Sequence, residues 1–238
     1  MAHAAKIGTN FTGVQMSPKD TKSMLEAANQ WHADVPGDET GLLLERREHS
    51  SEADRIGSVP IPGSAKGMLK TSFDLLKGKS PEILIDKLGE RLAYERNGVR
   101  LYDAMFAKAR AMGDKQLEGV LQHIRDEEHE HMLEVAEAIE SLGADPTAQT
   151  PCADVSGVLG MGPMQVITDP RTNIEQCMNA LLTIELTDNA AWELLIELCE
   201  AAGHDAIAQR FRHCKAQEDD HLVKVKTLMR RDLVGQTR

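Results

Sequence analysis

The strongest constraint on this chain is a spacing that occurs twice. Glu95 is followed 33 positions later by Glu128, which opens a Glu-x-x-His with His131. Glu185, Glu218 and His221 repeat the arrangement, each 90 positions after its counterpart. In Glu-x-x-His the two side chains share one helix face. Four carboxylates and two imidazoles projected inward from helices make up the donor set of a two-metal site in a bundle.

The surrounding pattern is helical. Long segments are predicted at about 80–111, 115–142, 172–202 and 205–231, with turns at Gly113-Asp114 and Gly203-His204-Asp205. Steps of four and three give apolar stripes through the segments. The stripes run Leu88, Leu92, Glu95, Val99, Tyr102, Phe106, Ala109; Leu117, Leu121, Ile124, Glu128, His131, Val135, Ala138, Leu142; Met178, Leu182, Glu185, Asn189, Trp192, Ile196, Cys199; and Ile207, Phe211, Cys214, Glu218, His221, Val225, Leu228. The six repeated residues interrupt them at mid-length. Glu95 and Glu128 are equidistant from the first turn, and Glu185 and Glu218 from the second, so each pair lies roughly 25 Å from its turn. The 143–171 stretch, rich in Gly, Pro, Thr and Asp, is long for a connection and predicts a crossover between two helical hairpins.

Ionised carboxylates buried together need protons, cations or metal. No stripe position is Lys or Arg, which points to metal; the mixed donors suit iron first, with manganese or zinc as alternatives. The acidic run Asp126-Glu127-Glu128-His129-Glu130-His131 contains a second spacing, Asp126-x-x-His129, but repeat and stripe both select Glu128 and His131. Tyr102 reads either as a core aromatic or as a hydrogen-bond partner or redox relay at the centre, and Trp192 reads as packing. Asp188 reads first as a solvated helix aspartate and otherwise as a seventh ligand. Asn189 is expected to hydrogen-bond a ligand carboxylate. His3, His32, His49, His204 and His213 read as surface residues.

Residues 1–78 are expected to form an extension with short helices, one starting at Ser17-Pro18 with Ser17 as N-cap, one over about 40–55 and one over about 65–77, with Val59–Ser64 extended between the last two. The net charge of −11 disfavours nucleic acid and anionic membranes as partners. Two divalent ions would neutralise four of those charges and leave about −7 on the surface. Cys152, Cys177, Cys199 and Cys214 form no CxxC, so no rubredoxin-type centre is expected, and they read as buried hydrophobes in a reducing compartment. No apolar signal region or spanning run occurs, so a cytoplasmic location is expected.

The constellation resembles the ferritin-like di-iron carboxylate superfamily, especially rubrerythrin-like and bacterioferritin-like proteins, over about 80–231. The resemblance implies an all-α ferritin-like four-helix bundle over 79–232. It implies Glu95 and His131 as terminal ligands of one metal, Glu185 and His221 of the other, with Glu128 and Glu218 bridging, and matches Tyr102 to the family's tyrosine. Rubrerythrins carry a Cys-rich module that this chain lacks, and an extra third-helix glutamate where it has Asp188. Bacterioferritins ligate haem through a methionine where it has His129, so no haem is implied. The expected function is redox chemistry of a dinuclear centre on O₂ or peroxide, of oxidase, peroxidase or oxygenase type, with an external electron donor. The alternatives are non-enzymatic iron storage or homeostasis, and a structural metal. Both a monomer and a homodimer are compatible with the sequence.

Overall fold

The computed structural model describes residues 13–31, 35, 37–59 and 81–236, and all their regular structure is helical. The chain divides into two compact units, Met1–Ala53 and Asp54–Arg238. In the first, α1 spans Pro18–Gln30 and α2 spans Thr40–Glu52. Ser17 stands at the N-cap of α1 as expected, but its hydroxyl bonds the Asp20 carboxylate and caps no backbone N–H. The short helix expected over 65–77, and the extended stretch from residue 60 on, lie outside the described residues.

The second unit is built on four long helices, α3 (Pro81–Met112), α4 (Lys115–Ser141), α7 (Ile174–Ala201) and α8 (Asp205–Gln236), close to the predicted spans. Between them the crossover carries two short helices, α5 (Pro151–Leu159) and α6 (Met161–Thr168), where sequence reading expected only a long connection. Thr150 starts α5 by accepting the Ala153 N–H, with Pro151 in the first turn. Gly113 and Gly203 end α3 and α7 in left-handed conformation, at φ 75° and 78°, and the following N–H groups reach back to Ala109 and Cys199.

The hairpins α3/α4 and α7/α8 pack most extensively; α3 also lies against α7, and α4 against α8. The crossover climbs the length of α3. At its foot, Asp86 accepts N–H groups from Gly57 and Cys152, both at 2.9 Å. At its head, Lys108 donates to the Asp169 and Thr172 carbonyls. Helix α7 therefore starts beside the end of α3 and runs antiparallel to it, and the two hairpin turns face opposite ends of the bundle. Helix α3 has 32 residues, or ~48 Å, so the level ~25 Å from either turn is the shared middle. That is why residues of both hairpins meet.

The core consists of two apolar layers. One gathers Leu101, Met105, Leu121, Ile124, Leu181 and Val225, and the other Leu88, Val135, Trp192, Leu195, Phe211 and Cys214. The stripe predictions hold for α4 and α8, where every position is buried except half-buried Leu142. On α3 and α7 the stripe is displaced: Val99, Phe106, Leu182 and Ile196 are half-buried, while Leu101, Met105, Leu181 and Leu195 are buried. These helices bury a wider face because they also meet each other and the crossover. No described helix is long and apolar enough to cross a membrane.

Candidate metal centre

Between the apolar layers lies a polar layer. Glu95, Glu128, His131, Glu185, Glu218 and His221 all point into it and are at most 1% exposed. Their donor atoms form overlapping groups within 4.8 Å: Glu128, Glu185, Glu218 and His221; Glu95, His131 and Glu218; and Glu95, Glu128, Asp188 and Glu218. Glu218 is central. Its Oε1 lies 2.6 Å from His131 Nδ1 and its Oε2 3.2 Å from His221 Nδ1. The imidazole centroids are 5.8 Å apart. Both oxygens of Glu128 and Oε2 of Glu185 are buried without a hydrogen-bond donor. Buried acceptors of this kind are costly unless a cation or proton serves them, so the residues present fit a metal-binding cluster.

The outer contacts hold the imidazoles in place. His221 Nε2 lies 2.9 Å from Glu127, and His131 Nε2 lies 3.1 Å from the Gln217 side-chain carbonyl. Gln217 in turn donates to Glu127 at 2.7 Å. Glu127 and Gln217 are themselves 90 positions apart, so the repeat extends to the residues that hold the rings. Each Nδ1 is thereby turned inward as a donor for a metal. Sequence reading placed Glu127 in an acidic run and gave Gln217 no role; the signal for them is their place just before Glu128 and Glu218. His129 is half-buried and Glu130 exposed, off the core face as expected.

Tyr102 is fully buried and its hydroxyl donates to Glu185 Oε1, which makes it a hydrogen-bond partner of the centre. Asn189 bonds no ligand carboxylate; it donates to the backbone carbonyls of Glu185 and Glu218, 3.0 Å each, and ties α7 to α8. Asp188 is not solvated but fully buried, ion-paired with Arg91. The stripes hold no Lys or Arg, but the core beside them holds a cation, so metal is not the one partner open to its carboxylates. Arg91 is 3% exposed, and its Nε lies 3.0 Å from Glu95 Oε1. The path 88–91–95 is as good a helical stripe as 88–92–95, and α3 buries both. Trp192 packs as expected, edge-on to His131 and Phe211. His49 and His213 are exposed and His204 half-buried, while His3 and His32 lie outside the described residues.

Burial and mutual repulsion set the protonation of the metal-free cluster. Burial, then the Glu218 charge, pushes Glu185 up to about 8. Glu128 and Asp188 are raised well above the carboxylate range, chiefly by burial. Burial also works on Glu218, but hydrogen bonds from His131 and His221 outweigh it and hold it at about 2. Burial would lower His221; the facing Glu128 and Glu218 carboxylates outweigh that and raise it to about 11. Protons thus occupy the cluster when metal does not.

A helical bundle with a buried carboxylate–imidazole cluster at its midpoint defines the class: an all-α protein suited to binding metal. The sequence profile of the ferritin-like domain matches residues 85–233, and the chain belongs to that family. Among curated proteins no match is found.

Proposed function

We propose that the centre is dinuclear and redox-active. Glu95 and His131 hold one ion, Glu185 and His221 the other, and Glu128 and Glu218 bridge. Iron is the first choice, with manganese as the redox-active alternative; zinc fits the same donors but would make the site structural. The observation that carries this reading is the Glu218 carboxylate, which turns one oxygen toward each inward-facing imidazole nitrogen. When bound, two such ions supply electrons to O₂ or peroxide, and an external donor replenishes them. The chain's own part is positional. Tyr102 fixes Glu185, Glu127 and Gln217 fix the rings, and the apolar layers keep out bulk water. A cavity of about 80 Å³ opens between α3, α5 and α7, walled by Leu159, Leu194, Leu195 and Leu198. Arg91, which pairs with Glu95, also lines it, so the cavity offers a small apolar molecule a place one residue from the centre.

The test is anaerobic loading with Fe(II), a count of bound metal, and then exposure to O₂ or peroxide. The expected result is two ions per chain and growth of ferric absorbance on oxidation. Loaded protein inert to both oxidants would overturn the redox reading, and loss of binding confined to His129→Ala would overturn the ligand assignment.

A further inference from the structure

Among the positions that break the 90-residue repeat beside the centre, two break it together. Arg91 has Leu181 as its counterpart, and Asp188 has Gly98. A buried cation on α3 and a buried anion on α7 thus depart from the repeat as a matched pair, and they bond to each other, Arg91 Nη1 to Asp188 Oδ1. The guanidinium also takes Glu95, whose repeat counterpart Glu185 instead accepts the neutral Tyr102 hydroxyl. The two ends of the centre therefore differ in what their glutamates face: a guanidinium, itself paired with Asp188, at the Glu95 end and a neutral hydroxyl at the Glu185 end.

The guanidinium has a place to act. Glu95, Glu128, Asp188 and Glu218 offer oxygens within 4.8 Å of one another, a group that shares three residues with the two-ion set and adds Asp188 to them. Arg91 pairs with two of the four. A guanidinium stays protonated and presents fixed donors, so it is a permanent cation where a metal ion would be exchangeable. It also engages one oxygen of Glu95 and repels a second cation nearby.

We propose that Arg91 is a built-in cation of the centre: with Asp188 it fills the position a further metal ion would take, holds the centre to two ions, and weakens the hold of the Glu95–His131 end on its ion. This rests on the dinuclear reading above. The experiment is titration of the full chain with Mn(II) without air, followed by calorimetry and by counting bound metal. The parent chain should bind two ions whose affinities differ by at least about tenfold. Arg91→Leu should bind three. Arg91→Leu with Asp188→Gly, which installs the residues of the opposite repeat and removes the buried cation and anion together, should bind two with the affinity gap narrowed at least about tenfold. The double variant decides the matter if the single one does not fold. Two ions of unchanged affinity in Arg91→Leu, or an unchanged gap in the double variant, would overturn the proposal while leaving the dinuclear reading intact. A parent that binds fewer than two ions removes that reading itself.

Discussion

At the residue scale, the cluster depends on small choices beside its six carboxylate and imidazole residues. A Cβ at Gly98 would stand 2.2 Å from Glu128 Oε2, so the missing side chain on α3 makes room for a carboxylate on α4. The obstructed atom is the tip of a flexible side chain, which can swing away. Gly98→Ala is therefore expected to fold, helped by up to about 1 kcal/mol of helix propensity, while Glu128 is displaced. Mn(II) titration should show a loss of affinity of at least about tenfold with no fall in the metal-free melting temperature. Unchanged affinity would mean Glu128 is not held as a ligand. Glu127→Gln addresses the outer contact: it keeps the size but removes the charge behind His221 Nε2. Metal affinity should fall about 10- to 100-fold, with the fold intact by circular dichroism. If Glu127→Gln binds like the parent, the imidazole is positioned by packing alone.

At the element scale, Asp86 does for the crossover what the turns do for the hairpins. It is fully buried on α3 and joins Gly57, Cys152 and the α5 start to one carboxylate. Burial opposes its charge, but the two backbone N–H groups outweigh it and lower its pKa. Asp86→Ala strands both donors and should cost about 2–3 kcal/mol, or roughly 5–10 °C in melting temperature. A shift under a degree would show that the crossover is held by its apolar contacts instead. The helices themselves were legible because glycine stops, proline starts and the repeated spacing agree. Helices α4 and α8 read correctly because each buries one narrow face. Helices α3 and α7 misled a single stripe because a helix with three neighbours buries two rows, and Arg91 lies in the row left out. The crossover helices carried a readable start, Thr150-Pro151, but the Gly and Pro around them suggested plain connection. The six residues of the buried cluster were legible because a duplicated pattern interrupted a hydrophobic one. Asp188 was not, because burial of a lone helix aspartate is set by a partner 97 residues away.

At the scale of the whole molecule, the repeat extends beyond the centre. Arg125 pairs with Asp103 on the first hairpin, and Lys215 with Glu193 on the second, each residue 90 positions from its counterpart. Two equivalent hairpins thus enclose one polar layer, and the protonation of that layer is coupled to folding of the bundle. Glu185 is held at about 8 against an ordinary 4.5. An unfolded chain ionises it from 4.5 upward while the metal-free fold keeps the proton, so its support for folding is complete below 4.5 and is lost as pH rises through about 8. His221, at about 11 against 6.5, has the same sign, with support lost from 6.5 upward. Glu218, at about 2, has the opposite sign: its support is present above 4.5 and lost as pH falls toward 2. The metal-free protein should therefore melt at a lower temperature at about pH 8 than at about pH 5. Metal competes with the same protons, so affinity and metal-induced stabilisation should both rise over that interval, with protons released on binding. Scanning calorimetry with and without Mn(II) at the two pH values tests both trends. A metal-free melting temperature that climbs with pH would show that the layer is not held together by protons when metal is absent.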